Sequence, residues 1–134
     1  MKLIVCLDDK NGMLFNKRRQ SSDQILCRKI LTLSEDGVLW MHPYSRPLFD
    51  DSCGHIRTDD HFMEKARPGE YCFAENIDVS PYLPCAGEII VFRWNRVYPA
   101  DLRFPGIPAG FQMVNSAEFP GFSHDRITME VYAR

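Results

Sequence analysis

Asp23 is the acidic residue whose position most favours ligand binding in this chain. It lies within the pattern Ser21-x-x-Gln24, which has the form of a capping box, in which the serine hydroxyl and the glutamine side chain bind free amides at a helix N-terminus. The pattern predicts that Asp23 lies in the first helical turn, just past the carboxyl end of a strand. Open α/β sheets bind ligands at that edge, so the sequence directs one carboxylate at a crevice.

Three basic residues, Lys17, Arg18 and Arg19, directly precede the predicted helix start. Guanidinium groups beside unpaired helix amides attract anions. The stretch is therefore a candidate ligand-binding site for an anion. The simpler alternative is a solvated loop.

Other reactive side chains have plainer interpretations. Cys53-x-His55 lies in an acidic loop but lacks a second ligand pair at zinc-finger distance, so we predict no metal site. No cysteine lies at a recognisable nucleophile turn. His124 falls in a predicted turn between the last two strands, where a polar hairpin residue is the simplest interpretation.

The elements that must position Asp23 are two strands and the helix between them. Residues 3–7 form a short apolar run typical of a buried strand, and Asn11-Gly12 tolerates the positive φ of a chain reversal. A helix is predicted over 21–34 and a second buried strand over 38–41. Together they form a βαβ unit, in which we expect the two strands to be parallel neighbours in one sheet.

The rest of the chain predicts further strands and short helical segments. The predicted strands cover 70–74, 88–94, 111–119 and 126–132, and the last of these is expected to be antiparallel to its partners. The predicted short helices or turns cover 44–49, 60–66 and 77–83, and 50–60 is predicted as a loop.

Composition limits the class of protein. The 134 residues predict a single domain, with 45% hydrophobic and 25% charged residues. Sixteen basic against 18 acidic residues argue against an extensive nucleic-acid surface. No apolar run is long enough for a signal peptide or a membrane span, so we expect a cytoplasmic protein. Five cysteines, an odd number, indicate reduced core residues. The oligomeric state stays open.

The order of these segments resembles that of the dihydrofolate reductase family. The resemblance at the amino end rests on the first strand, Asn11-Gly12-Met13, Asn16, Asp23 and the strand over 38–41. At the carboxyl end it rests on the strand over 88–94, Asp101-Leu102-Arg103-Phe104-Pro105, the strand over 111–118 and Ser123-His124-Asp125-Arg126-Ile127-Thr128. It implies a single-domain, three-layer α/β fold, with a mostly parallel twisted sheet and an antiparallel carboxyl-terminal strand.

The resemblance also implies roles for particular residues. Asp23 matches the acidic residue that holds the pterin ring in that family and assists its protonation. Cys6, Cys27 and Phe92 fall near positions that line the pterin pocket. A carboxylate shielded by apolar neighbours has a raised proton affinity and can orient a protonated heterocycle. The implied partner is a small-molecule ligand.

The cofactor side departs from the family. In place of a glycine-rich turn against the nicotinamide nucleotide, this chain has Glu75-Asn76-Ile77. The Gly-Arg pair and the Thr that bind nucleotide phosphates are replaced by His42-Pro43-Tyr44-Ser45, and the segment between 41 and 70 is shorter than the family's adenosine-binding region. We expect Glu75 to fill the groove and to repel phosphate oxygens. The cofactor is therefore unknown, and NADPH is disfavoured.

Two functions follow from these observations. The first, which we favour, is a divergent dihydrofolate reductase-like protein that binds a small molecule beside Asp23 without hydride transfer. The alternative is an NAD(P)H-dependent reductase of a pterin-like or other flat heterocycle. A hydrolase or nuclease that recruits Lys17, Arg18 and Arg19 is a third hypothesis.

Overall fold

The computed structural model describes all residues from 1 to 134 and shows an α/β fold with a mostly parallel sheet of seven strands. Ten strands occur in chain order: β1 (Lys2–Leu7), β2 (Gly12–Phe15), β3 (Arg18–Arg19), β4 (Leu39–Met41), β5 (Ile56–Thr58), β6 (Tyr71–Phe73), β7 (Glu88–Arg93), β8 (Leu102–Arg103), β9 (Gln112–Phe119) and β10 (Ile127–Ala133).

The large sheet has the order β5-β4-β6-β1-β7-β10-β9. β1 lies at its centre and pairs in parallel with β6 and β7. The predicted antiparallel orientation of the last strand is confirmed, because β10 runs antiparallel to β7 and β9.

The prediction that the first two strands of the βαβ unit are neighbours is wrong. β1 and β4 belong to the same sheet, but β6 lies between them and pairs in parallel with both. The segment Tyr71–Phe73 is buried at every residue, which is typical of an interior strand of a parallel sheet that is covered on both faces. The crossover from β1 to β4 therefore leaves a gap one strand wide, which the chain fills later.

A second, three-stranded sheet has the order β3-β2-β8 and was not predicted. β2 and β3 form a hairpin whose two-residue turn, Asn16-Lys17, has positive φ at both residues, 51° and 62°. These strands are two to four residues long, too short for a recognisable alternation of polar and apolar residues. β5 was missed for the same reason, since three residues of the predicted 50–60 loop form it.

Two α-helices and two 3-10 segments accompany the sheets. The helices are α1 (Gln24–Leu33) and α2 (Phe62–Lys65), and the 3-10 segments are Arg46–Leu48 and Ser80–Cys85. None of the helices combines the length and the hydrophobicity that crossing a bilayer requires.

Alternating side chains of β1 contribute to two hydrophobic cores. Leu3, Val5 and Leu7 pack in one core together with Phe62 of α2. Ile4 packs in the other core, where α1 contributes Leu26 and Ile30. This alternation places β1 between the two cores, so the carboxyl end of β1 lies where elements from both faces meet.

Asp8 closes the carboxyl end of β1. Its fully buried carboxylate accepts hydrogen bonds from the amides of Lys10, Gly12 and Tyr98, at 2.9, 2.7 and 3.0 Å. The predicted reversal at Asn11-Gly12 is confirmed, with a φ of 61° at Asn11. Burial opposes ionisation, but these hydrogen bonds outweigh it and lower the pKa of Asp8.

Candidate functional site

Asp23 is the N-cap of α1. Its backbone is extended, with φ −151° and ψ 130°, and its Oδ1 accepts hydrogen bonds from the amides of Ile25 and Leu26 at 2.9 and 3.2 Å. The predicted capping box is therefore wrong. The helix begins at Gln24, and Ser21 lies too far upstream to cap it.

The turn over residues 120–124 encloses the same carboxylate from the other side. Phe122 donates its amide to Oδ1 at 3.1 Å, and Ser123 donates its amide and its hydroxyl to Oδ2 at 2.9 and 3.2 Å. His124 completes the set, with Nδ1 2.9 Å from Oδ2. The side chain of Asp23 has no exposed surface.

These hydrogen bonds lower the pKa of Asp23, whereas the sequence predicts a raised proton affinity. Burial favours the protonated form, but the donors from Ser123, His124, Phe122 and Leu26 outweigh it and hold the pKa of Asp23 well below its usual range. The expectation of a raised proton affinity is wrong, because the neighbours that shield this carboxylate are hydrogen-bond donors. Asp23 is ionised at neutral pH.

Gly121 allows the turn to approach Asp23 so closely. A Cβ atom at this position would lie 2.6 Å from Asp23 Oδ2 and 3.0 Å from Ile127 Cδ1. Any side chain would push the turn away from the carboxylate. The glycine is thus part of the structure that encloses Asp23.

His124 connects Asp23 to Ser21. Its Nε2 lies 2.9 Å from Ser21 Oγ, and its ring stacks on the indole of Trp94, with centroids 4.7 Å apart and planes inclined by 29°. His124 is buried. The interpretation of His124 as a simple polar hairpin residue is therefore wrong, because stacking and two hydrogen bonds hold it inside the protein.

A cleft runs along the first turns of α1, and we refer to it as the α1 cleft. A cavity of about 280 Å³ beside the backbone of Asp23 continues into one of about 490 Å³, and both share Gln24, Cys27 and Leu48. The first cavity is lined by Ser22, Asp23, Gln24, Cys27, Leu48, Phe122 and Ser123. The second is lined by Gln24, Cys27, Arg28, Leu31, Leu48, Phe49, Asp50, Ser52 and Cys53.

The other residues implied as a pterin pocket differ in their placement. Cys27 lines both cavities of the α1 cleft. Burial, together with the carboxylates of Glu75 and Asp23, raises the pKa of Cys27 to about 11, so its thiol stays neutral. Cys6 lines neither cavity, and burial raises the pKa of its thiol as well. Phe92 has no exposed surface and packs edge-to-face on Phe119 at 6.3 Å.

Lys17, Arg18 and Arg19 do not form one basic cluster at the N-terminus of α1. Lys17 and Arg18 are exposed on the β2–β3 hairpin. Arg19 instead pairs with Glu75, its Nε and Nη2 lying 3.1 and 3.2 Å from the two carboxylate oxygens. Its guanidinium also stacks on the ring of Tyr44, 4.6 Å from the centroid.

Glu75 is the centre of this second polar cluster. It follows β6, accepts a hydrogen bond of 2.7 Å from the hydroxyl of Ser45, and is largely buried. Tyr44 and Ser45 follow β4 in the chain, so the cluster lies at the carboxyl ends of β4 and β6. The expected phosphate-repelling carboxylate is therefore neutralised by Arg19.

No group of three or more His, Cys, Asp or Glu side chains is arranged to hold a metal ion. All five cysteines are free. No protein-family model and no curated protein matches the chain.

Proposed function

We propose that the chain is a divergent dihydrofolate reductase-like protein that binds a small molecule in the α1 cleft and does not transfer hydride. Two features support the fold comparison: β1 is the central strand of a mostly parallel sheet, and β10 is antiparallel to its neighbours. Both agree with the architecture that the sequence resemblance implies.

The observation that carries the proposal is the cluster of Arg19, Glu75, Ser45 and Tyr44. In the resembling family, a turn without side chains after the strand corresponding to β6 lies against the nucleotide. Here Glu75 occupies that turn and engages Arg19 with both carboxylate oxygens. A dinucleotide would have to separate this pair and leave a mostly buried carboxylate unpaired, which is unfavourable.

The α1 cleft suits a small, flat ligand. Cys27 and Leu48 give it an apolar wall, while Gln24 and Ser22 offer polar groups at its mouth. Asp23 would not contact the ligand with its carboxylate, because all the carboxylate contacts are to protein donors and the side chain is not exposed. It fixes the positions of Phe122 and Ser123, which form the opposite wall.

The alternative function is a reductase, and one observation favours it. The amides of Glu75, Asn76 and Ile77 donate to no backbone acceptor, which leaves them free to bind an anion. In this alternative, Arg19 would release Glu75 and pair with a nucleotide phosphate. NADPH binding separates the two functions.

The proposed cleft is tested by calorimetric titration with pterin. Gln24 is exposed and lines both cavities, so Gln24→Trp should fill the cleft and weaken binding at least about tenfold. Thr32→Trp, which places the same side chain at an exposed position of α1 outside these cavities, is the matched control and should leave binding unchanged. Equal affinity in wild type and Gln24→Trp would contradict the proposal.

A further inference from the structure

His124 is bonded through both ring nitrogens, to a carboxylate on one side and a hydroxyl on the other. Nδ1 lies 2.9 Å from Asp23 Oδ2, and Nε2 lies 2.9 Å from Ser21 Oγ. An ionised carboxylate only accepts, so Nδ1 carries the hydrogen. In the neutral ring Nε2 then accepts the Ser21 hydroxyl proton, which is the polarity that a general base needs.

The local backbone explains why these groups converge. Residues two apart in an extended segment point to the same side, and the segment leading into α1 is extended at Asp23. Ser21 and Asp23 therefore both reach the ring of His124. Trp94 stacks on that ring and limits its rotation. The three polar groups are held in a fixed relative geometry before any ligand arrives.

A separate cavity, which shares no lining residue with the α1 cleft, adjoins His124. It measures about 380 Å³ and is lined by Trp94, Asn95, Arg96, His124, Asp125 and Arg126. Two guanidinium groups face one carboxylate there, which gives the lining a net positive charge. Arg126 has only a 3.8 Å contact to Glu118, and both of these side chains are more than half exposed. Arg96 forms no salt bridge, so both cations are available to an anionic ligand.

We propose that Ser21 and His124 form a nucleophilic acyl-transfer site, with Asp23 as the positioning residue, for small esters whose acyl group carries a carboxylate. The half-buried Ser21 supplies the nucleophile. Arg96 and Arg126 hold the carboxylate of the acyl group. This activity goes beyond ligand binding in the α1 cleft and uses a different cavity.

The reaction needs no group beyond these residues and water. Ser21 Oγ bonds to the acyl carbon as His124 Nε2 takes the hydroxyl proton. The bond from the acyl carbon to the ester oxygen breaks, and the alcohol leaves with that proton. Water then attacks the acyl-serine with His124 again as base, which releases the acid and restores Ser21.

The test uses the full chain with 4-nitrophenyl hemisuccinate, an ester with an anionic acyl group. We expect release of nitrophenolate and a succinyl adduct that peptide mass spectrometry locates on Ser21. Ser21→Ala should abolish both. The matched control is Ser116→Ala, which removes the hydroxyl of an exposed serine on β9, outside both sites, and should form the adduct as wild type does.

Two further measurements separate this activity from a purely structural hydrogen-bond chain. Arg96→Gln should slow acylation by the anionic ester about tenfold and leave that by neutral 4-nitrophenyl butyrate unchanged. His124→Gln should also form no Ser21 adduct while keeping the circular dichroism spectrum of the folded wild type. The absence of an adduct in folded wild type, or an adduct that persists in Ser21→Ala, would overturn the proposal without bearing on pterin binding.

Discussion

Among single residues, Asp23 joins two distant parts of the chain through one carboxylate. Oδ1 accepts amides from the first turn of α1 and from Phe122, and Oδ2 accepts from Ser123 and His124. We expect Asp23→Asn to lower the free energy of unfolding by about 3 kcal/mol. The side-chain NH2 of asparagine cannot accept a hydrogen bond and would face buried N–H donors that the carboxylate oxygens now accept. Urea denaturation at pH 7 measures this change.

The matched control for this substitution is Asp125→Asn. Asp125 lies just beyond the same turn, but it is exposed and forms no salt bridge. Its replacement should change the free energy of unfolding by no more than about 0.5 kcal/mol. Equal losses for the two variants would show that the contacts of Asp23 do not stabilise the fold.

The lowered pKa of Asp23 predicts a dependence of stability on pH. The folded-state pKa lies below the ordinary value of about 3.9, so ionised Asp23 contributes its full stability above that pH. The contribution is lost as the pH falls towards the folded-state pKa. The difference in urea midpoint between wild type and Asp23→Asn should therefore shrink from pH 7 to pH 3. A constant difference would contradict the assigned ionisation.

The sequence identifies Asp23 as a notable carboxylate, but not what surrounds it. Phe122, Ser123 and His124, which hydrogen-bond to this carboxylate, lie 99, 100 and 101 positions away in the chain. No local pattern encodes such contacts. The only signal for them is the Gly121 that precedes Phe122, Ser123 and His124, since a glycine in a turn also permits a close approach.

Among elements, the turn over residues 120–124 depends on Gly121 for its distance from α1. Gly121→Ala should destabilise the protein by about 2 kcal/mol, because the added Cβ would lie 2.6 Å from Asp23 Oδ2. Gly54→Ala is the matched control, since a Cβ at Gly54 meets no atom within 4 Å. Urea denaturation of both variants tests the difference, and a neutral effect of Gly121→Ala would mean that the turn can move away freely.

Six strands of the large sheet were predicted close to their observed bounds. β1, β7, β9 and β10 lie within one residue of the predicted bounds, and the three-residue strands β4 and β6 lie inside their predicted ranges. The hairpin of β2 and β3 was missed, because positive φ at Lys17 is not a property that its residue type suggests. The start of α1 was misplaced because two capping residues, Ser21 and Asp23, compete within three positions.

At the scale of the whole molecule, strand order was the least predictable feature. The sequence predicts parallel strands joined by a helix, but it does not specify how many strand positions the crossover spans. The placement of β6 between β1 and β4 brings Glu75 beside Ser45, two residues 30 positions apart. The cluster of Arg19, Glu75, Ser45 and Tyr44 is thus a consequence of topology, which the residue pattern alone could not reveal.

NADPH titration by calorimetry is the measurement that tests the proposed function most directly. Separating Arg19 from Glu75 is expected to oppose binding by about 3 kcal/mol, or about two decades of affinity. An ordinary micromolar dissociation constant would then rise to about 0.1 mM or more. We predict no saturable NADPH binding below that concentration and no oxidation of NADPH in the presence of dihydrofolate. A dissociation constant in the low micromolar range would contradict the proposal and favour the reductase.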